Sequence, residues 1–357
     1  MILTIIFIIL IFSALVIAHE WGHFIVARRN GVKVDEFGIG FPPKIFSRKT
    51  KLTEFSINLL PFGAFVRLKG EDSDDKSMDS FAAKPYKSRA KIVMAGVGVN
   101  FLIAYVIVVI LLIFGIPALL PSGFVKIGPI KPSSVQTSPL TTLSVNKDSA
   151  ADKAGIKAGS EILKANGNDL KTSDDLQNFT KENAGKNVEL QIKQSCEIKN
   201  VNFQLASDGS KGYLGIAAQP IELARYNPFS ALVAAFIVIV QLAILTVSAF
   251  GSFIAGLFSA KVSSDVAGPV GIVSIFGGVV QFGWRYVLAF IASISLSLAV
   301  INSLPIPALD GGRLLLMTLT RMGVKITPEF ESKLHFTGFI LLIILIVIVT
   351  ISDISRL

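Results

Sequence analysis

Long apolar segments constrain this chain more than any other feature of its sequence. Residues 1–18 read MILTIIFIILIFSALVIA, and further apolar segments lie at about 91–120, 229–258, 284–304 and 337–351. A helix needs about 20 apolar residues to cross the hydrocarbon core of a bilayer. Because 52% of the residues are hydrophobic and 17% are charged, we expect a polytopic α-helical membrane protein with an additional soluble portion.

An ionisable cluster lies at the end of the first apolar segment, in IAHEWGHFIVARRNG (17–31). His19, Glu20 and His23 form the pattern H-E-x-x-H, whose histidines share one face of a helix at positions i and i+4. Two neutral imidazoles suit zinc, and the adjacent Glu20 can activate a water without binding the metal. Ionisable groups within a membrane segment are costly and usually functional. We therefore interpret Glu20 as a catalytic residue and the two histidines as metal ligands.

A third metal ligand is expected in the C-terminal half of the chain, in INSLPIPALDGGRLL (301–315). Asp310 follows an apolar helix that Pro305 and Pro307 interrupt, and its carboxylate needs a partner inside the membrane. Broken backbone is tolerated at that depth where it lines a site. The chain has one cysteine, Cys196, so the ligands must come from His, Asp or Glu. We predict one Zn²⁺, held by the two histidines and by Asp310.

Basic residues follow the first span closely, which places that side of the membrane in the cytosol under the positive-inside rule. They are Arg28, Arg29, Lys33, Lys44, Arg48, Lys49 and Lys51. The net charge of +9 therefore requires no nucleic-acid partner. If Asp310 is to meet the histidines at one depth, segment 229–258 must lie along the interface or re-enter the membrane. We expect about four spans, with both termini outside and the site near the cytosolic side.

Two further regions of the N-terminal half are candidates for contact with a substrate. Segment 52–71, LTEFSINLLPFGAFVRLKGE, reads as strands joined by a turn at residues 61–63. As a membrane-associated β-hairpin it could offer a sheet edge to an extended peptide, or it could be an ordinary cytosolic β-rich region. In MAGVGVNFLIAY (94–105), Gly96, Gly98 and Asn100 indicate either close helix packing or, for Asn100, a place in the active site.

Residues 121–225 are soluble in composition and combine short helices with alternating strands. This segment resembles a PDZ domain in the circularly permuted order of bacterial proteases. Within it, GYLGI (212–216) resembles the carboxylate-binding loop of that fold, and the predicted peptide-binding residues are Tyr213, Leu214, Gly215 and Ile216. The predicted organisation is an N-terminal half of a membrane core at 1–120, this α+β domain, and a C-terminal half at 226–357 with an interfacial or re-entrant part at 229–280.

Several motifs together resemble the site-2 protease family, and within it the bacterial regulator of sigma-E protease branch that carries a PDZ domain. They are His19-Glu20-x-x-His23, the stretch from Gly96 to Asn100, AGPVGI (267–272), Asn302 with LPIPALDGG, and the final DISRL. The resemblance covers nearly the whole chain. It departs from the family's pattern at Val97, where a proline is common, and at Ala64, where a second glycine is common.

The resemblance implies an intramembrane zinc metalloprotease of the bacterial cytoplasmic membrane. Its partners would be the lipid bilayer, single-span membrane proteins or remnant signal peptides as substrates, and an upstream protease of the site-1 type that cuts first. It also implies a membrane-associated β-loop at 52–68, within a cytosolic β-loop at 38–70, and a set of substrate-binding residues. That set is Asn302, Asn100, Phe62, Gly63, Phe65, Pro305 and Pro307.

Two other functions are compatible with the same residues. One is a membrane-anchored zinc protease that acts on soluble peptides, with cleavage outside the apolar stretch of a substrate. The other is a metal-binding membrane scaffold with a PDZ domain and no catalysis, for which Glu20→Gln would leave function intact. Intramembrane cleavage has a requirement that the first alternative lacks. The substrate helix must unwind before hydrolysis, and its freed backbone groups then need hydrogen-bond partners in a dry environment.

Overall fold

A computed structural model of the chain describes residues 2–71, 73, 75–117, 130–194, 197–207, 213–258 and 268–355, with the backbone alone at Ile2, Pro61, Phe62, Pro117, Leu257, Phe258 and Pro328. The chain divides into two compact units. Unit 1 comprises Met1–Ile107, Val238–Phe276 and Ile291–Leu357, and unit 2 comprises Val108–Ile237 and Gly277–Phe290. Three long helices pass from one unit into the other.

The helices outside the soluble segment are α1 Ile2–Arg29, α2 Tyr86–Val93, α3 Ala95–Phe114, α6 Pro228–Phe258, α7 Pro269–Val279, α8 Trp284–Ser303, α9 Asp310–Arg321 and α10 Pro328–Ile354. Among the described residues, five are long and apolar enough to cross a membrane: α1, α3, α6, α8 and α10. The chain is therefore a polytopic membrane protein. Segment 229–258, predicted to lie along the interface or to re-enter, falls within one unbroken helix, α6, and the count of four crossings stays a prediction.

Unit 1 also contains two long strands, β1 Val34–Lys49 and β2 Glu54–Leu68, which fold back on themselves. The first half of β1 pairs with 64–68 on one side, where Val34 faces Leu68, and with 54–57 on the other, where Glu36 faces Glu54. From Glu36–Glu54 to Ile39–Ile57 the residue numbers of both partners increase together, so segments 36–39 and 54–57 run in the same direction. The second half of β1 pairs antiparallel with 54–58.

This pairing corrects the predicted arrangement of segment 52–71. The chain does turn at 61–63, and Gly63 adopts φ +82°, but the strands on either side of the turn do not pair with each other in a hairpin. They flank the first half of β1 instead. The consequence is that 64–68 forms one edge of the sheet among the described residues, while 54–57 lies inside it.

A buried carboxylate holds these folded-back strands together. Glu36 accepts a hydrogen bond of 2.6 Å from Ser56 Oγ and lies 2.8 Å from Lys44 Nζ and 3.3 Å from Arg67. Burial alone would raise the pKa of Glu36, but the bonds from Lys44 and Ser56 hold that pKa below its usual value. Glu36 therefore stays charged and connects the two halves of β2 through β1.

The last turns of α10 anchor the start of α7 within unit 1. The buried carboxylate of Asp353 accepts hydrogen bonds from the backbone N–H groups of Gly268 (3.2 Å) and Gly271 (2.7 Å). These donors lie at the first turn of a helix, where backbone N–H groups lack partners and a negative charge is favourable. A side chain at Gly268 would collide with Val349 and Asp353, so this close approach requires glycine.

The described residues of unit 2 form a seven-stranded sheet with the order β3-β9-β4-β5-β7-β8, in which β6 pairs with β5. Its elements are β3 Ile116–Pro117, β4 Ser134–Val145, α4 Ala150–Lys153, β5 Glu161–Ala165, β6 Asn168–Asp169, α5 Ser173–Glu182, β7 Asn187–Gln194, β8 Glu197–Gln204 and β9 Ile216–Arg225. Leu140, Ile162, Leu190 and Ile192 are buried at the centre of its core. The chain thus has a β-rich domain, whose identity as a PDZ domain with bounds 121–225 stays a prediction.

Candidate metal centre

The histidine pair lies toward the C-terminal end of α1, followed by Arg28 and Arg29 in its last turn. His19 is buried and His23 is largely buried, and their Nε2 atoms are 3.1 Å apart. The helical period therefore turns both rings to one side, as the spacing of the motif predicts. Two imidazoles this close, at this depth in an apolar helix, need a shared partner.

Asp310 reaches the histidines because the polypeptide turns sharply after α8. That helix ends at Ser303, and α9 begins at Asp310 itself. Cβ atoms added at Gly311 and Gly312 would lie within 2.3 Å of backbone oxygens of the turn. The two glycines after Asp310 therefore let the turn pack against the first residues of α9.

Three potential ligand atoms converge at this point. Asp310 Oδ2 lies 3.1 Å from His19 Nε2 and 3.4 Å from His23 Nε2. Among the described residues, these are the His, Cys, Asp and Glu side chains that could hold a metal together, with one ligand atom of each within 4.8 Å of the others. The oxygen is buried and makes no hydrogen bond with other described groups.

The second nitrogen of each ring explains why the convergence suits a cation. His23 Nδ1 lies 2.8 Å from the carbonyl oxygen of Ile92, an acceptor, so in the neutral ring the proton is on Nδ1 and Nε2 presents a lone pair. A lone pair directed at a carboxylate is unfavourable unless a cation or an extra proton lies between them. Two imidazoles and one carboxylate form a three-ligand donor set that fits catalytic zinc.

The neighbouring helix α3 leaves space for the cluster. A Cβ atom added to Gly96 would lie 2.4 Å from His23 Nε2 and 2.6 Å from His19 Nε2, whereas one added to Gly98 would meet nothing within 4 Å. The two glycines of this helix thus have different roles. Gly96 gives the ligand nitrogens their room, and Gly98 imposes no such demand.

Asn100, also on α3, lies behind His19. Its side-chain nitrogen is 3.4 Å from His19 Nδ1, and its buried Oδ1 has no hydrogen-bond partner among the described residues. Oxygen and nitrogen of an amide are assigned from such networks. Exchanging them lets His19 Nδ1–H donate to Oδ1, which directs the Nε2 lone pair to the cluster. Ser295 Oγ donates to the Asn100 carbonyl oxygen at 2.8 Å and fixes this part of α3.

The predicted catalytic carboxylate lies beside the cluster without joining it. Glu20 follows His19 on α1, is partly buried, and interacts electrostatically with His23, His19 and Asp310. It does not belong to the converging set. This is the placement expected of a proton-transfer group next to a metal.

The other predicted site residues occupy three separate places. Asn302 lies in the last turn of α8, and Pro305 and Pro307 lie in the turn before Asp310. Gly63 and Phe65 lie in β2, and the side chain of Phe62 is outside the described residues. The loop Tyr213–Ile216 belongs to unit 2, where the carbonyl oxygens of Tyr213, Leu214 and Gly215 accept hydrogen bonds from the backbone N–H groups of Ala206, Ala151 and Asn146.

Sequence reasoning did not identify two groups near Asp310. Arg313 on α9 forms an ion pair with Glu71. His335 on α10 accepts a hydrogen bond of 2.9 Å at Nδ1 from the backbone N–H of Ala308. His335 follows Glu329, Glu331 and Lys333 in the first turns of α10, so the signal of an isolated ionisable group in an apolar helix was absent there.

Apolar helices that carry a buried His-His-Asp cluster with an adjacent glutamate define a membrane-embedded metallohydrolase. The sequence profile of peptidase family M50, the site-2 proteases, matches residues 7–345. The chain belongs to this family, and it is a zinc metalloprotease and a multi-pass bacterial membrane protein.

Relatives along the full length agree with this assignment. A Clostridium perfringens protein named as a zinc metalloprotease is 34% identical over 352 residues, which is 98% of each chain. The zinc metalloprotease RasP of Oceanobacillus iheyensis is 28% identical over 438 aligned positions, covering 99% of both chains. The regulator of sigma-E protease RseP of Salmonella typhimurium is 27% identical, covering 98% of both.

Proposed function

We propose that this protease hydrolyses peptide bonds inside the transmembrane segments of single-span proteins, such as anti-sigma factors or remnant signal peptides. The observation that carries the proposal is the burial of the His19, His23 and Asp310 cluster among helices of membrane-spanning length. A protease for soluble peptides has no need to bury its ligands at this depth. The Salmonella typhimurium relative is named a regulator of sigma-E protease, which supports an anti-sigma factor as one class of substrate.

In this proposal His19, His23 and Asp310 hold one zinc ion, which when bound supplies a Lewis acid for peptide hydrolysis. Glu20 takes a proton from the attacking water and delivers it to the leaving amine. Ile92 and Asn100 keep the two rings oriented through their Nδ1 atoms.

The substrate is held as an added strand on the outer edge of segment 64–68. Among the described residues no strand pairs with that edge, so its backbone groups can satisfy those of an unwound substrate. Phe62, Gly63 and Phe65 lie at or beside the start of this segment. Asn302, in the last turn of α8, and Pro305 and Pro307, in the turn before Asp310, also contact the substrate.

An apolar cavity of about 560 Å³ within unit 1 suits the side chains of such a substrate. Its walls come from α3, α6 and α8 and include Val97, Ile244 and Ser303. Val97 follows the glycine that touches both histidines, and Ser303 follows Asn302. The cavity therefore lies along two helices that flank the metal centre, α3 and α8.

The membrane topology that accompanies this function has four crossings, with α6 not crossing. Gly96 lies against the histidines, so α3 starts at the cytosolic side and ends outside. Asp310 meets the same histidines, so α8 must run from outside to the cytosol. An even number of crossings therefore separates α3 from α8. The described helix that follows α6, Pro269–Phe282, is only about 21 Å long and is too short to return across ~30 Å.

Labelling of a single cysteine at Ser332, in a Cys196→Ser background, tests this topology. Ser332 is exposed and lies just after the start of α10. With four crossings it faces the cytosol, and with five it faces the exterior. We expect protection from an impermeant maleimide in intact cells and labelling after permeabilisation. Labelling in intact cells would contradict the four-crossing arrangement.

We further propose that unit 2 contains one PDZ domain that faces the exterior and admits substrates by size. It contains no histidine and takes no part in the chemistry. The loop Tyr213–Ile216 would bind a peptide end, or the fold would simply obstruct bulky substrates until an upstream protease trims them.

One experiment tests both cleavage and filtering. A single-span substrate is expressed with the protease in three forms: with short ends, with a folded domain on the exterior end, and with the same domain on the cytosolic end. We expect cleavage of the first and third forms only, with mass spectrometry placing the cut inside the apolar segment. Cuts confined to the flanking polar residues would favour a membrane-anchored protease of soluble peptides. Equal cleavage of all three forms would contradict the proposed size filter but not the proposed intramembrane cleavage.

A further inference from the structure

We propose that His335 is a positioning residue for the metal centre, because it fixes the turn that directs Asp310 at the histidines. The inference rests on the proposed role of Asp310 as a ligand. His335 lies on α10, a helix that supplies none of the ligands. It is one of the chain's three histidines, and the other two are the ligand pair itself.

The turn before Asp310 contains a backbone conformation that its sequence does not favour. Ala308 has φ +75°, a left-handed conformation that residues other than glycine rarely adopt. Such conformations persist where surrounding contacts enforce them. The enforcing contact here is the hydrogen bond of 2.9 Å from Ala308 N–H to His335 Nδ1.

A second contact presses the same helix against the same turn. A Cβ atom added to Gly338 would lie 2.5 Å from the carbonyl oxygen of Pro307. His335 and Gly338 are three residues apart, so they share one face of α10. Glycine at 338 allows the helix backbone to approach Pro307, and this approach brings the imidazole within reach of Ala308.

The flanking parts of the turn are already held, so a change at Ala308 is transmitted to Asp310. Upstream, Leu304 N–H donates to the Ile301 carbonyl of α8. Downstream, the ion pair of Arg313 with Glu71 holds α9. Between these anchors Ala308 is two residues from the ligand carboxylate. Without an acceptor at position 335 the Ala308 N–H loses its partner, the turn relaxes from its left-handed form, and Asp310 shifts from the histidines.

The hydrogen bond also defines which nitrogen of the ring must accept. Nδ1 receives the Ala308 proton, so the neutral ring carries its own proton on Nε2, which lies 3.9 Å from a Glu331 oxygen. An asparagine at 335 can place its oxygen near the position of Nδ1. A glutamine places its oxygen near the position of Nε2, away from Ala308. These two amides differ in reach and share the same chemistry.

The test compares His335→Asn with His335→Gln in the full-length protein, with zinc retention against a competing chelator as the readout. We expect His335→Asn to retain zinc within about threefold of the wild type. We expect His335→Gln to lose zinc affinity by about 10–100-fold, the usual effect of removing an outer-sphere partner of a ligand. Cleavage of a trimmed substrate should fall in kcat in parallel, with KM little changed.

A second substitution isolates the backbone strain. Ala308→Gly removes the penalty of the left-handed conformation, so adding it to His335→Gln should restore zinc retention about tenfold. Equal zinc retention by the two amide variants, or no restoration by Ala308→Gly, would overturn the proposal.

Asp310→Ala, measured alongside, distinguishes failure of the ligand assignment from failure of the positioning role. If Asp310→Ala leaves zinc retention unchanged, the ligand assignment fails. If Asp310→Ala lowers zinc retention and His335→Gln does not, only the positioning role of His335 is refuted.

Discussion

Replacing Asp310 with alanine should remove zinc and abolish proteolysis together. The carboxylate supplies the third of three converging ligand atoms, 3.1 Å from His19 Nε2 and 3.4 Å from His23 Nε2. Removal of an outer-sphere partner typically lowers metal affinity by 10–100-fold, so removal of a ligand should exceed about 100-fold. The measurement is zinc content per protein after dialysis against a graded chelator series, together with cleavage of a trimmed single-span substrate.

Two glycine substitutions on α3 provide a matched comparison for that result. Gly96→Ala places a methyl group against both Nε2 atoms and should lower zinc retention to a similar extent. Gly98→Ala adds the same methyl group to the same helix where nothing lies within 4 Å, so it should retain zinc and activity. Full zinc occupancy in purified Asp310→Ala protein would refute the ligand assignment, whatever its activity.

Much of this centre was predictable because the membrane makes isolated polar groups conspicuous. An H-E-x-x-H pattern is short, but within an apolar helix its three ionisable side chains require a purpose. The same reasoning led to Asp310, although 290 residues separate it from Glu20. The helical period then determined that His19 and His23 share a face. The helical period and the energetic cost of burying ionisable side chains in a membrane were sufficient to identify the three residues that converge.

The features that escaped prediction depend on contacts between distant segments. The turn at 61–63 was visible from proline and glycine, but its flanking strands pair with β1 and not with each other, and no local pattern encodes that choice. The left-handed conformation of Ala308 leaves no trace in the sequence, since alanine favours helix. It exists because His335 and Gly338 of a helix some 30 residues away hold it.

The same distinction explains the two readings of Asn100. Small residues in a membrane helix usually indicate packing, and Gly96, Gly98 and Asn100 are too close in sequence to separate by pattern alone. In the structure the glycines differ by what a side chain would meet, and Asn100 lies behind a ligand. Close packing against the histidines, at Gly96, and positioning of a ligand, by Asn100, are therefore functions of neighbouring residues of α3.

Replacing Glu20 with glutamine should separate chemistry from metal binding. The substitution keeps nearly the same volume and lies outside the converging ligand set, so zinc retention should stay at the wild-type level. The amide cannot accept the proton of the attacking water, and loss of general-base catalysis should lower kcat by at least about 10²–10⁴-fold. Cleavage and zinc content, measured on the same preparation, provide the two readouts.

The contrast between Glu20→Gln and Asp310→Ala tests the division of roles more strictly than either variant alone. The first should yield a zinc-loaded protein that binds a single-span substrate without cutting it, so that membrane-fraction proteomics finds trapped fragments. The second should yield a zinc-poor protein. If Glu20→Gln also lost zinc, the carboxylate would be acting as a ligand or as a support for His19, and the base would have to be sought elsewhere. If it cleaved at the wild-type rate, Glu20 would have no part in proton transfer.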